Sequence, residues 1–310
     1  MTTILHVGSP KSGTTTLQEN VLAHLDGIVY LGKPFPTPEM RQDIEYVKRY
    51  DASDFSLERL KSFVAEHRAT AEAAGKPLVF SDETLTSPGM KSLVAERLHE
   101  VFGPARIIVT LRNQHKSIES YYTRHGRTLK KVPDKWAGSF VPFDDWFDTS
   151  VRNFQGTQLD RVRYDNVVDV YGAVFGRENI VPLLFEEMIG DADAFGEKLG
   201  TILGVAGSEV SELLTRPALN TRPPALKRDF HRAETAVPYG LRRAAGRILP
   251  RGIKDGIKAS LERVLWSGDR DSRMVVSDEK REEIRQMYAE GNRRLVSEFG
   301  LELERYGYPL

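Results

Sequence analysis

The sequence predicts an α/β protein: a parallel central sheet with helices on both faces, followed by a helical C-terminal tail. Three observations lead there. Short apolar, β-branched runs recur at residues 4–7, 28–31, 78–81, 107–111 and 180–184. Longer helical patterns separate them, notably at 15–25, 57–74, 91–101 and 117–124, and strands joined through helices pair in parallel and are covered on both sides. Beyond residue 184 the chain reads as mostly helical. We take residues 1–310 as one domain, with a core over 1–190 and a helical portion over 191–310.

Taken in order, the first run is Ile4-Leu5-His6-Val7 and leads directly into a loop rich in Gly, Ser and Thr. The third run ends in Ser81-Asp82-Glu83, the fourth in Leu111-Arg112, and the fifth in Leu184-Phe185-Glu186-Glu187-Met188. Residues 126–156 carry Trp136, Phe140, Phe143, Trp146 and Phe147 among prolines and glycines and read as a loop or lid. Its aromatic side chains are either a platform for sugar rings or a lipid, or the packing of a lid onto the core. Residues 241–263 hold seven basic residues against two acids. They suit an anionic acceptor or membrane surface, or form a solvated helical face. The last helix spans about 277–299, with Ser277 as N-cap, acids in its first turn and Gly300 at the C-cap position.

Composition removes several function classes. Forty-four basic residues balance forty-four acidic ones, so no nucleic-acid partner is expected and any polyanion site must be local. There is no cysteine, which excludes disulfides, thiolate metal sites and a thiol nucleophile. No apolar run is long enough for a transmembrane segment. The N-terminus lacks the features of a secretory signal, and a cytoplasmic location is expected.

The loop Gly8-Ser9-Pro10-Lys11-Ser12-Gly13-Thr14-Thr15-Thr16 joins a strand to a helix, where backbone N–H groups and the helix N-terminus can cradle a phosphate. This makes the fold of the P-loop nucleotide-binding type. An ATP-binding loop carries its lysine directly after the second glycine; here Thr14 stands there and the lysine is Lys11. The bland alternative is a plain strand–turn–helix junction, in which a lysine would serve no folding purpose.

Pro10-Lys11-Ser12-Gly13-Thr14-Thr15 resembles the P-K-[ST]-G-T-T loop of sulfotransferases that use 3′-phosphoadenosine 5′-phosphosulfate (PAPS). The resemblance implies that Lys11, Ser12, Gly13, Thr14, Thr15 and Thr16 bind the 5′-phosphosulfate. Lys11 would stabilise charge on the bridging oxygen as the sulfuryl group leaves. The same family places an arginine at the end of its fourth strand and a serine eight residues on, both on the donor's 3′-phosphate. Arg112 and Ser120 fit that spacing, and a guanidinium fork with a hydroxyl favours a 3′-phosphorylated nucleotide over ATP. The strand ending in Phe185 is also similar to the family's, which implies an aromatic against adenine; an aromatic core plug is the other reading. A looser echo lies around Asn292.

The function the resemblance implies is transfer of a sulfuryl group from PAPS, as co-substrate, to a hydroxyl or amine of an unidentified acceptor. A carbohydrate or glycolipid, including a lipid-linked glycan, is compatible. The alternatives are a P-loop small-molecule kinase and a noncatalytic nucleotide- or polyanion-binding protein. Transfer needs a proton acceptor, and acids where the third strand emerges stand where open α/β sheets bind ligands. Glu83 matches the glutamate base of the glycan-modifying and bacterial branch, with Asp82 as its competitor. The small-molecule cytosolic branch uses a histidine in a K-x-H motif that is not evident here. His6 reads as structural, His115 as a neighbour of the 3′-phosphate, and His125 as a residue of the acceptor cleft. No histidine has metal-ligand spacing, and no metal is expected.

Overall fold

Successive residues of a strand point to opposite faces of a sheet, and here both sets are buried. Leu5, Val7, Leu78, Phe80, Ile107 and Val109 enter one apolar core, while Ile4, Val79, Ile108 and Leu183 enter another. A sheet buried on both sides is the property of parallel α/β architecture. The computed structural model describes residues 2–86, 89–125, 141–216 and 276–310. Its strands are β1 (Thr3–His6), β2 (Val29–Gly32), β3 (Leu78–Ser81), β4 (Arg106–Leu111) and β5 (Ile180–Leu184). All neighbours pair in parallel in the order β2-β3-β1-β4-β5. Pro182 lies opposite Val109 on the edge strand β5, where its missing N–H breaks no ladder.

The helices are α1 (Pro38–Arg49), α2 (Glu58–Ala74), α3 (Lys91–Phe102), α4 (Gln114–His125), α5 (Phe143–Arg152), α6 (Gln158–Arg161), α7 (Tyr164–Phe175), α8 (Phe185–Gly190), α9 (Ala192–Leu203), α10 (Gly207–Leu214) and a C-terminal helix (Asp278–Phe299). Val64 of α2, Leu98 of α3, Val168 of α7 and Ile284 of the C-terminal helix pack on the first face. Phe195 of α9 and Val210 of α10 pack on the second. The C-terminal helix has the caps its sequence calls for: Ser277 Oγ accepts from Lys280 N at 3.3 Å, and Gly300 takes φ +64°. Helix α1, which the periodicity did not single out, was signalled by Thr37-Pro38: Thr37 Oγ1 accepts from Met40 N at 3.1 Å, with proline at the first helical position.

Two expectations need correction. The stretch 126–156 is not an uninterrupted loop, because α5 forms inside it. Phe143, Trp146 and Phe147 are buried core residues rather than an exposed platform, and their spacing by three and four is a helical stripe. Two acids, Asp144 and Asp145, occupy the first turn. Trp136, Phe140 and the basic stretch 241–263 lie outside the described residues. The helical stretch expected over 15–25 forms as a wider, π-type segment, Thr16–Val21, followed by a 3-10 turn of helix, Leu22–His24.

Candidate functional site

Strand order explains why distant residues meet. β1 lies between β3 and β4, so the loop leaving its carboxyl end is flanked by Asp82-Glu83 on one side and Arg112 on the other. The main chain ties these ends together: Asp82 N donates to His6 O at 3.1 Å and Val7 N to Ile108 O at 3.0 Å. Ligands of open α/β sheets bind at such a junction.

The loop's curvature is written in three positive φ angles: Gly8 at +55°, Lys11 at +77° and Gly13 at +75°. Gly13 also has no space for a side chain, since a Cβ there would come within 2.2 Å of Met188 Cε and 2.7 Å of the Phe185 ring. A Cβ on Gly8 would come within 2.9 Å of Glu83 Cβ, which places the acid directly against the loop. Lys11 is the only non-glycine at positive φ among the described residues, a conformation that costs on the order of 1–3 kcal/mol. Arg112 Nη1 donates to the Lys11 carbonyl at 2.6 Å and holds it there. Ser12 turns inward: its hydroxyl donates to Ser9 O at 2.5 Å and lies 2.7 Å from Thr110 Oγ1.

Above the loop opens a cavity of about 540 Å³. It is lined by Lys11, Gly13, Thr14, Thr15 and Thr16 of the loop, by Arg112, Ser120, Thr123 and Arg124, and by Phe185, Met188, Leu214, Thr215 and Arg216. Among these lining residues are four cations, several hydroxyls and no carboxylate. The Arg112 guanidinium lies 4.5 Å from the centre of the Phe185 ring. Burial pulls the Lys11 amine down from 10.5 to about 8, and Arg124 and Arg112 push it the same way. The lining is therefore rich in positive charge, which suits an anionic ligand.

Arg112 owes its position to the C-terminal part of the chain. Tyr164 OH donates to Arg112 O at 2.7 Å, and Arg112 N lies 3.1 Å from the same hydroxyl. Asn113 N donates to Glu186 Oε1 at 3.0 Å, and Tyr308 OH donates to the other oxygen at 2.9 Å. Asn113 Nδ2 reaches the carbonyls of Tyr306 and Gly307, and Gln114 exchanges hydrogen bonds with Asn292. Asn292 thus holds Gln114, two residues beyond Arg112.

Across the loop lies a second charged group of side chains. Glu83 Oε2 accepts from Gln18 Nε2 at 2.9 Å and from Lys33 Nζ at 3.0 Å. Asp82, fully buried, pairs with Lys33 at 2.7 Å and Lys48 at 3.2 Å. Burial alone would raise the Asp82 carboxyl, but the two lysines and the Thr84 N–H hold it below the usual carboxylate range. With both oxygens engaged and no exposure, Asp82 is a structural anchor, whereas Glu83 is partly open.

Of the residues named from sequence, Lys11, Gly13, Thr14, Thr15, Thr16, Arg112, Ser120 and Phe185 line one cavity. Ser12 lies beneath it, and Glu83 stands on the opposite side of the loop. His115 is elsewhere: it lines a separate hollow with Arg281 and Tyr308, because it faces the C-terminal helix and not the loop. His125 lies in the field of Lys11, Arg124 and Arg161, and burial followed by these cations lowers it to about 4. Sequence reasoning passed over Thr123 and Arg124, although they follow Ser120 by three and four residues and so share its helix face. It also passed over Lys33, which gave no local signal.

His6 contributes to the acid sensitivity of the fold. Its ring nitrogens lie 2.8 Å from Ser81 Oγ and 3.3 Å from Thr110 Oγ1, and burial, opposed only in part by Asp82, lowers its pKa to about 4. Folded His6 stays neutral while the unfolded chain takes up a proton below 6.5, so stability is full above pH 6.5 and falls as pH drops toward 4. His125 adds to the same window. Melting temperature should decline mainly between pH 6.5 and 4; a flat profile from pH 7 to 5 would refute the buried neutral ring.

No family model matches the sequence, and no curated protein matches it. Solved structures do. The chain superimposes on a sulfotransferase from Alicyclobacillus acidocaldarius with a TM-score of 0.57 at 15% identity, covering 99% of this chain and 98% of that one. The sulfotransferase domain from the curacin biosynthetic pathway gives 0.37 at 16% identity, over 72% and 78% of the two chains, a score too low to carry an argument. At such identities the likeness shows the fold: the chain has the P-loop-like α/β fold of a bacterial sulfotransferase.

Proposed function

We propose that this protein transfers a sulfuryl group from PAPS to a hydroxyl or amine of an acceptor. One observation carries the reading: the β1 loop and the Arg112/Ser120 pair, with Lys11 and Arg112 standing 101 positions apart, border a single cavity whose described lining is rich in cations and holds no carboxylate. That lining suits a ligand with two anionic ends, of which a terminal phosphate alone carries roughly −1.5 to −2. In this reading the loop's amides, Thr14, Thr15 and Thr16 hold the 5′-phosphosulfate, and Lys11 meets charge on the bridging oxygen. Arg112 and Ser120 take the 3′-phosphate, and Phe185 lies against the adenine. Glu83 accepts the acceptor's proton as the new S–O bond forms. The acceptor class proposed is a carbohydrate or glycolipid, in line with the branch whose base is a glutamate.

Calorimetry with 3′,5′-bisphosphoadenosine (PAP), 5′-AMP and ATP tests the reading without an acceptor. PAP should bind far more tightly than either of the others; equal affinity for 5′-AMP would remove the 3′-phosphate site, and tight MgATP binding would favour a kinase. Because burial and the neighbouring arginines lower the Lys11 amine to about 8 and only its ammonium attracts the anion, affinity should be level between about pH 7 and 8, where the phosphates of PAP stay ionised, and fall above it. An affinity that rises with pH would exclude Lys11 from the site.

A further inference from the structure

Every hydrogen bond that described residues make to the Glu83 carboxylate arrives at one oxygen. Gln18 Nε2 and Lys33 Nζ both donate to Oε2, at 2.9 and 3.0 Å, and none reaches Oε1. Both donors are themselves fixed. Gln18 Nε2 also donates to the Ser81 hydroxyl at 3.0 Å. Lys33 Nζ lies 2.7 Å from Asp82 Oδ1, and the Lys33 carbonyl accepts from Tyr30 OH at 2.7 Å. Asp82 is held in turn by Lys48 and by Thr84 N. The carboxylate cannot rotate without breaking two hydrogen bonds to groups that cannot follow it.

A general base must sit within about 2.6–3.2 Å of the proton it takes, and a base that exchanges its two oxygens freely spends part of its time misplaced. We propose that Lys33, assisted by Gln18, is the positioning residue for Glu83: it grips Oε2 so that Oε1 is the oxygen presented to the acceptor. This rests on the reading of Glu83 as the base. Burial weakens the Lys33 ammonium, but Asp82 and Glu83 outweigh it and raise its pKa, so the grip persists at neutral pH. Lys48 pairs with Asp82 without reaching Glu83 and keeps Asp82 paired when Lys33 is replaced.

Water can serve as acceptor in the test. Its oxygen bonds to sulfur, the bond from sulfur to the bridging oxygen breaks, its proton passes to Glu83, and PAP leaves with the electron pair, so release of labelled sulfate from PAPS reads the step. Lys33→Met should slow release by up to about 10²-fold, the cost of a misplaced catalytic group, and Lys33→Arg should restore most of it. PAP affinity should stay unchanged in both. In a Glu83→Gln background Lys33→Met should cost nothing further; an equal loss with and without the carboxylate would show a merely structural role and overturn the proposal. Lys33→Gln, which keeps a donor without the charge, should fall between the two and serves if Lys33→Met does not fold.

A second measurement needs no turnover. The ¹⁵Nζ resonance of Lys33, assigned by its loss in Lys33→Gln, should shift in Glu83→Gln; an unmoved resonance in a protein that binds PAP ends this inference alone. A wild-type protein that binds no PAP ends it together with the sulfotransferase reading.

Discussion

Glu83→Gln should lower turnover by about 10²–10⁴-fold, the range for a general base, while leaving PAPS affinity nearly intact. The amide keeps the shape and can still accept from Lys33 and Gln18 through its carbonyl oxygen, so the fold should be preserved. Lys11→Ala should behave differently and lose both turnover and donor affinity. Its amine lines the cavity beside the loop amides, so part of its interaction with the donor exists before the sulfuryl group moves. Asp82→Asn is the control. Asp82 anchors Lys33 and Lys48, so its loss should register in melting temperature before it registers in rate. Single-turnover rates and calorimetric affinities for the three variants separate these roles. Near-normal turnover in Glu83→Gln, with loss in Asp82→Asn or a His125 variant, would move the base elsewhere and leave the donor site standing.

The second large effect belongs to Arg112. Its guanidinium holds the carbonyl of Lys11, stacks on Phe185 and lines the cavity, so Arg112→Ala removes a phosphate ligand and loosens the strained turn together. Loss of hydrogen bonds to a charged group alone should weaken PAP binding by roughly 1.5–3 kcal/mol. Arg112→Lys keeps the charge but not the fork or the stack and should recover only part of it. For 5′-AMP the loss should be smaller and limited to the effect of the loosened turn, because the 3′-phosphate is absent. Calorimetry on the two variants with both nucleotides decides it: unchanged PAP affinity in Arg112→Ala would refute the assignment, and an equal loss for 5′-AMP would assign Arg112 to the loop alone.

Local pattern made much of the scaffold legible. Each strand falls within two residues of its apolar run, because a doubly covered parallel strand is apolar at most positions. Ser277 and Gly300 marked the last helix through their caps. Lys11 and Gly13 stood out because a lysine inside a glycine turn serves no folding purpose. Failures came where local signals conflicted. Helix α5 was hidden by the prolines and glycines before it, although Phe143, Trp146 and Phe147 repeat at helical spacing. His115 reads from sequence as a neighbour of the 3′-phosphate, yet its helix turns it toward Arg281 and Tyr308.

The sequence by itself determined the strands, the loop that can cradle an anion and the residue types able to bind phosphate, since these follow from periodicity, turn chemistry and charge over a few residues. Only the tertiary structure decided that β1 lies between β3 and β4, and hence that Glu83 and Arg112 flank the loop that carries Lys11. It alone revealed Lys33 on Glu83 and Asn292 on Gln114, two residues beyond Arg112. Those contacts join residues 50 and 178 positions apart, and no short-range pattern encodes which strand a chain will choose as its neighbour.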